Sequence, residues 1–404
     1  MEIKTNEKVY FVEGACRGAF YDFNSGKVYS VNNAGVSIIK AYCKGENAGN
    51  ERYLETLMEA GLIFDGFAPQ ITDKTFFEKP EPKVEVAWLE ITEGCNLRCI
   101  HCYEGDVHTK FRESLSLPQW KGVIDQLVDL GVQRIIIIGG EPCCSREVES
   151  ITEYCGEKHV QTTFFTNATM LSERLLNIIK KCDIRVKISI YGGDAKTHDE
   201  ITAVPGSFER MNASVDKMSR LGIKMSASVI LMKENQNQLS GIIDFLKKKG
   251  IKYSGYDVIR NVFGGTQSAH TPVESEEVAE KYISKPSFVA DEKRFIYNHY
   301  VNSCWFGKIA IQEDGNVIPC VFQRDISFGN VKEKSIKTIL LGNKTADCWY
   351  YDFSKVSQCS CCEYRYACKD CRAMGISVCG KMDSKNPRCL YNPTNGIWAS
   401  KKEF

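Results

Sequence analysis

The chain has no run of about 18 apolar residues, so no segment is long enough to span a bilayer as a helix. It has no surplus of either charge: 52 basic against 51 acidic residues leave a net charge of +1. No overall field therefore draws in nucleic acid or an anionic membrane surface. The first residues, MEIKTNEKVYF, lack the basic-then-apolar layout of a secretion signal. A cytoplasmic protein is expected, with neither nucleic acid nor membrane as a partner. Solenoid periods and low-complexity segments are missing too. Histidine is scarce, six residues scattered over 404, which moves the search for metal ligands from imidazole to thiolate.

Cysteine is what the chain has in excess. Nineteen cysteines are many for a cytosolic core, and in a reducing compartment they point to metal binding or catalysis instead of disulfides. Soft thiolates without imidazole suit iron–sulfur clusters or zinc. The remaining composition, 43% hydrophobic and 25% charged, is that of an ordinary globular protein. The length allows two or three domains.

Composition divides the chain. Residues 1–66 hold short β-type runs, KVYFVE, GAFYDF and KVYSV, with turn signals between them. Helical patterns follow at Ala34–Tyr42, after the Asn32-Asn33 capping signal, and at Glu51–Ala60, closed by Gly61. A small winged-helix-like unit is predicted. Residues 67–84, with Pro69, Pro80 and Pro82 among charges, read as a linker. From 85 to 270, runs such as VAWLEIT, RIIIIGG, TTFFTN, VKISIY and MSASVILM alternate with helical patterns, among them Leu117–Leu130, Leu171–Lys181, Phe208–Leu221 and Gln238–Lys249. Such repeats imply parallel strands with right-handed crossovers. The predicted fold class is α/β, a partial (β/α)6 TIM-type barrel with its chemistry on the loops after the strands. A bridging region, 271–303, leads to a cysteine-rich part, 304–404.

The segment EGCNLRCIHCYEG carries Cys95, Cys99 and Cys102 with spacings of three and two residues. Three thiolates on one loop can hold three irons of a cubane and leave the fourth open. A zinc site with a distant fourth ligand is the alternative. Gly139-Gly140-Glu141-Pro142 ends the next strand, and its glutamate can accept hydrogen bonds from an ammonium group. Alone this is weak, since Gly-Gly is common in turns. Cys143 and Cys144 read as spare or packing thiols.

The cysteine triplet after the first strand of a βα series resembles the signature of the radical S-adenosylmethionine superfamily, over residues 85–260. The resemblance implies that a 4Fe-4S cluster on Cys95, Cys99 and Cys102 binds S-adenosylmethionine through its open iron. It places His101 and Tyr103 near the adenine, and Gly139, Gly140 and Glu141 at the methionine amino group. Thr166, Asn167 and Ser189 fall around the methionine and ribose, although small polar residues also cap helices at strand ends. Many relatives carry an arginine against the methionine carboxylate; in HDEITAVPGSF that place falls on Thr202.

Ten of the nineteen cysteines lie from Cys304 onward. Cys304, Gly315 and Cys320, then Cys359, Cys362 and Cys368 in CSCCEYRYACKDC, resemble the SPASM domain with its two auxiliary 4Fe-4S clusters. Carried over, Cys304, Cys320 and Cys371 hold an inner cluster, and Cys359, Cys362, Cys368 and Cys389 an outer one. Cys371 follows one residue earlier than the usual spacing, and Cys379 competes with Cys389. The inner cluster's fourth ligand is a substrate thiolate, Cys348, Cys361 or Cys379. A zinc ribbon is the alternative, though five residues between Cys362 and Cys368 are few for one.

Residues 1–66 resemble the recognition element of enzymes that modify ribosomally made peptides, where a sheet edge beside a helix binds an extended leader. A DNA-binding winged helix lacks support, because no helix is rich in Lys or Arg. Together these resemblances imply a maturase that forms thioether crosslinks in a precursor peptide and uses a reducing flavodoxin or ferredoxin. Carbon–carbon crosslinking, sulfatase-type oxidation and a non-enzymatic electron carrier or sensor are the rivals. No single Asp, Glu or His stands out as an acid or base.

Overall fold

The computed structural model describes residues 4–64, 67–71, 77–105, 114–262, 267–272 and 285–399. It contains two compact units, one of Met1–Glu81, Ile283–Cys304 and Trp349–Phe404, the other of Pro82–Tyr282 and Trp305–Cys348. Among the described residues no helix is long and apolar enough to cross a membrane.

The first unit is built on strands β1 (Lys4–Glu13), β2 (Gly18–Asp22) and β3 (Lys27–Val31), helices α1 (Asn33–Cys43) and α2 (Glu51–Glu59), and strand β4 (Phe67–Ile71). The sheet runs β3-β2-β1-β4, antiparallel except for the β1–β4 pair. Asn32 and Asn50 cap the two helices, accepting from the backbone of Gly35 and Tyr53 at 2.9 and 3.1 Å. β4 occupies the start of the segment predicted as a linker. Its Pro69 is tolerated because β4 is an edge strand, where a missing N–H breaks no ladder bond. Alternation along β1 sends Val9 and Phe11 against Ile39, Leu57 and Ile63. It sends Tyr10 and Val12 to the other face, against Phe295, Tyr364, Tyr366 and Tyr391. Both faces are covered, so every residue of β2 is buried; an antiparallel strand with one wet face would alternate.

The second unit follows the predicted alternation: β5 (Val86–Glu90), α3 (Leu117–Asp129), β6 (Arg134–Ile138), α4 (Val148–Glu157), β7 (Gln161–Thr166), α5 (Glu173–Lys181), β8 (Arg185–Ile190), α6 (Ala195–Thr202), α7 (Ser207–Arg220), β9 (Met225–Leu231), α8 (Leu239–Lys248) and β10 (Tyr256–Val258). β5 to β10 form one parallel ladder in chain order, the partial six-stranded barrel. Ala87, Leu89, Ile135, Ile137, Phe164, Val186 and Ile188 are fully buried, as the helix-covered face requires. Their neighbours Trp88, Ile136, Phe165, Lys187 and Ser189 are only partly buried and form the inner face. The free edge of β5 is taken by β11 (Lys308–Ile311), in parallel, followed by antiparallel β12 (Asn316–Ile318) and β13 (Gly329–Asn330). Gly315 turns the β11–β12 hairpin at φ +87°, where a Cβ would stand 2.8 Å from Asn330 Oδ1. Main-chain pairing thus ties Trp305–Cys348 to the barrel strands, whereas Trp349–Phe404 packs with the N-terminal sheet in the first unit. The region expected as one unit from 304 to 404 is divided accordingly.

One buried histidine makes the barrel unit acid-sensitive. His198 on α6 is 1% exposed, lies against Tyr191 and Phe208, and accepts from Tyr191 N through Nδ1 at 3.4 Å. Burial lowers its pKa to about 4, below the value of about 6.5 it has unfolded. The neutral form is favoured by folding, so this contribution is complete above pH ~6.5 and is lost as pH falls toward 4. Between pH 7 and pH 5 the wild type should lose about 2 kcal/mol more stability than His198→Gln in urea unfolding. Equal losses in the two proteins would overturn this assignment.

Candidate metal centre and cofactor site

The loop that carries Cys95, Cys99 and Cys102 leaves β5 and is held from two sides. Gly140 N donates to Thr92 O at 2.9 Å and Glu141 N to Gly94 O at 2.8 Å. From α6, Ile201 O and Thr202 O accept from Ile100 N and Arg98 N, each at 3.0 Å. The close approach needs glycine: a Cβ on Gly139 would stand 2.3 Å from Thr92 O. Thr202 is buried and its hydroxyl is bonded to Ser207 at 2.7 Å. It serves as a backbone anchor of the cysteine loop.

Burial disfavours the thiolate at all three cysteines. It raises the Cys95 pKa to about 12, and pushes Cys99 and Cys102 up as well, with the thiols of the loop reinforcing one another. Three desolvated sulfurs this close can all ionise only beside a compensating cation. Thiols spread along a loop suit a cubane, in which each takes its own iron.

Glu141 is fully buried and holds its surroundings together. Its carboxylate accepts from Thr166 Oγ1 and Asn167 N, both at 2.7 Å, and from Cys143 N at 3.2 Å. Burial pushes its pKa up and these donors pull it back. Asn167 Nδ2 donates to Asn96 Oδ1 at 2.9 Å, and Asn96 Nδ2 to Thr169 Oγ1 at 2.8 Å, so the third strand end reaches the cysteine loop. Ser189 is bonded to the hydroxyl of Tyr191, which feels the charge of Cys99, Cys102 and Cys95. Gly139, Gly140, Glu141, Thr166, Asn167 and Ser189 therefore all surround the cysteine loop. His101 packs edge-on against Tyr191 at 4.5 Å between ring centroids, and burial lowers its pKa to about 4. Tyr103 packs against Phe322 at 5.1 Å between ring centroids, beside the β11–β12 hairpin. Cys143 contacts Glu141, and Cys144 lies near enough to Cys95 to raise its pKa.

Sequence reasoning missed Arg324 and Tyr191. Arg324, 6% exposed on its side chain, meets Glu90, Glu93 and Glu104 at 2.9, 3.3 and 3.7 Å. The three acids flank the cysteine loop in sequence, but no local signal links them to a lone arginine more than two hundred residues away.

In the first unit Cys359, Cys362, Cys368 and Cys389 come together: charge on Cys359, Cys362 and Cys389 raises the Cys368 pKa, after burial. Cys304 and Cys371 belong to the same unit, linked through Asn302, which accepts from Cys304 N at 3.0 Å and donates to Asp370 at 3.3 Å. In the barrel unit, buried Cys348 lies within electrostatic range of Cys320. Of the other competitors, Cys361 donates to Gln358 O at 3.3 Å and Cys379 is exposed.

Residues 89–246 match the radical SAM superfamily, and residues 304–372 match SPASM, an iron–sulfur cluster-binding domain. The chain is 22% identical to the AdoMet-dependent heme synthase of Methanosarcina barkeri, over 76% of this chain and 96% of that protein. It is 24% identical to the PqqA peptide cyclase of Rhizobium meliloti, over 75% and 86%. Streptococcus suis SuiB bound to precursor peptide SuiA has the same fold, with a TM-score of 0.62 and 16% identity over 95% of this chain and 98% of that one. The fold, the cysteine loop and these matches define a radical SAM enzyme. More particularly, it couples a radical SAM domain to an SPASM domain, a pairing that indicates 4Fe-4S clusters and S-adenosylmethionine.

Proposed function

We propose that this chain crosslinks a ribosomally synthesised precursor peptide, joining a cysteine sulfur to carbon as a thioether. The observation that carries the peptide reading is the N-terminal sheet, which ends in a short edge strand, β3, beside α1. Such an edge can take an extended leader by main-chain pairing. Its start is already bridged to Val289, which leaves the end nearest α1 for a guest strand. PqqA peptide cyclase is similar in sequence, and SuiB, solved with a precursor peptide bound, is similar in fold.

Three 4Fe-4S clusters are assigned to Cys95, Cys99 and Cys102, to Cys304, Cys320 and Cys371, and to Cys359, Cys362, Cys368 and Cys389. When bound, the first cluster and S-adenosylmethionine supply a 5′-deoxyadenosyl radical for hydrogen abstraction. The protein's part is positional. Glu141, held by Thr166 and Asn167, would offer its carboxylate to the methionine ammonium; His101 and Tyr191, packed together, would line the cofactor site; and the inner face of the barrel would exclude water. A reducing flavodoxin or ferredoxin is the proposed electron donor.

A second reading has its own observation. Cys348 beside Cys320 adds a fourth thiol to the inner set, and a fully protein-ligated cluster needs no substrate thiolate. That favours carbon–carbon crosslinking. Anaerobic reconstitution with dithionite and S-adenosylmethionine is expected to yield 5′-deoxyadenosine, and the Cys95→Ala protein at least a hundredfold less. The peptide encoded beside the gene is expected to lose two hydrogens per bond. Cysteines that remain alkylatable after that loss eliminate the thioether; absence of 5′-deoxyadenosine above the Cys95→Ala level eliminates the enzyme.

A further inference from the structure

Either crosslink, carbon to sulfur or carbon to carbon, takes two hydrogens from the peptide for each bond made. One C–H bond gives its hydrogen as an atom to the 5′-deoxyadenosyl radical. The other hydrogen, from S–H or a second C–H, leaves as a proton, and its electron passes to an oxidised iron–sulfur cluster. That proton needs an acceptor within reach of the peptide. The side chains at the cysteine loop serve poorly. Glu141 is engaged by Thr166 and Asn167, and burial, which lowers the His101 pKa to about 4, leaves that imidazole a weak base.

His270 answers the need. It ends the short helical turn Gln267–His270, and its carbonyl accepts from Lys233 N at 2.8 Å, in the loop that follows β9. The same loop is fastened to the next strand end: Asn235 Nδ2 donates to Tyr191 O at 2.8 Å, and the Tyr191 ring packs on His101 at 4.5 Å. Because β5 and β9 run parallel in one ladder, the loops after them share the rim where such folds carry their chemistry. A charge on His270 is felt at His101, so the imidazole stands within electrostatic reach of the cysteine loop.

Its partner is a carboxylate. His270 Nδ1 lies 2.5 Å from Glu234 Oε1, and the two side chains are only 18% and 29% exposed. A carboxylate that holds a proton on Nδ1 leaves the lone pair on Nε2. Among the described residues Nε2 has no hydrogen-bond partner. A base whose outer nitrogen is open and whose inner nitrogen is fixed by an acid is the arrangement of a general base with its orienting group. Glu234 from the β9 loop and His101 from the cysteine loop are the titratable groups that face it.

We propose that His270, oriented by Glu234, accepts the proton that the peptide gives up as the crosslink forms. The inference rests on the crosslinking reading, but the step follows hydrogen abstraction. It can therefore fail while 5′-deoxyadenosine and crosslinked peptide still appear.

The anaerobically reconstituted full chain, as wild type, His270→Gln, Glu234→Gln and Glu234→Asp, is given S-adenosylmethionine, dithionite and the peptide encoded beside the gene, from pH 5.5 to pH 8.5. His270→Gln should form 5′-deoxyadenosine within twofold of wild type yet crosslink at least tenfold more slowly, without the wild type's fall toward acid pH. Glu234→Gln should crosslink at least threefold more slowly, and Glu234→Asp should recover most of that loss. In wild type without dithionite, carbethoxylation of His270 by diethyl pyrocarbonate, read by mass spectrometry, should fall at least threefold when the peptide joins S-adenosylmethionine. Equal protection by S-adenosylmethionine alone would put His270 at the cofactor and overturn the proposal, as would crosslinking by His270→Gln at the wild-type rate and pH dependence. If His270→Gln does not load iron, the labelling and the Glu234 variants decide. If wild type cleaves S-adenosylmethionine but leaves the peptide's mass unchanged, the crosslinking reading fails. The labelling then decides alone, peptide protection supporting His270 as the group facing the substrate and its absence overturning that.

Discussion

Arg324→Leu should destabilise the barrel unit by about 3–5 kcal/mol at pH 8, the cost of leaving buried charge without its partner. Arg324 is the cation shared by Glu90, Glu93 and Glu104, and Glu90 is 1% exposed. Burial raises the Glu90 pKa, Arg324 opposes that rise, and Glu93 adds to it. Without the guanidinium the acids repel one another with no water to screen them. The pH dependence follows from the direction of the shift. A carboxyl whose folded pKa rises further is stabilised when protonated, so the deficit should be smallest near pH 4 and grow as pH rises. Denaturant unfolding of wild type and variant at pH 5 and pH 8 checks this, and Glu90→Gln in the Arg324→Leu background should recover part of the loss. A deficit below about 1 kcal/mol at pH 8 would mean the network is solvated and contributes as little as surface pairs do.

The barrel was legible because its signals are local. β-branched runs such as Arg134–Ile138 and capped amphipathic helices such as α5, with Ser172 accepting from Leu175 N, declare themselves within a dozen residues. The cysteine loop and Glu141 were legible for the same reason, each being a short motif at a strand end. What escaped depends on pairing across distance. β4 lay hidden in a proline-marked segment because its strand character comes from β1, and nothing between Glu292 and Tyr300 announces that Phe295 covers the second face of the N-terminal sheet. The contact of Tyr103 with Phe322 and the apolar cluster beside the β11–β12 hairpin likewise had no local signal. Cys348 and Cys320 are 28 positions apart in sequence, with no spacing rule to join them. α6 was not singled out because its eight residues are mostly polar; its value lies in Ile201 O and Thr202 O, which hold the cysteine loop.

That mutual holding of loops makes Gly140→Ala a damaging small change for the site. A Cβ there would stand 2.5 Å from both Glu93 O and Gly94 O. These are backbone atoms, so no side-chain rotation relieves the overlap, and such overpacking costs about 1–3 kcal/mol. Relief requires the two strand-end loops to part, which breaks Gly140 N to Thr92 O and Glu141 N to Gly94 O and moves Cys95, the next residue. The expected result is loss of the first cluster's iron on reconstitution and at least a tenfold fall in 5′-deoxyadenosine. Iron at the cluster proposed for Cys359, Cys362, Cys368 and Cys389 should remain, because those thiols belong to the other unit. Gly122→Ala is the matched control: it lies within α3 with no atom within 4 Å of its added Cβ, and should raise stability by about 0.5–1 kcal/mol through helix propensity. Iron content and cofactor cleavage measured on both variants test the claim, and a Gly140→Ala enzyme that cleaves S-adenosylmethionine like wild type would show that the two loops need not touch.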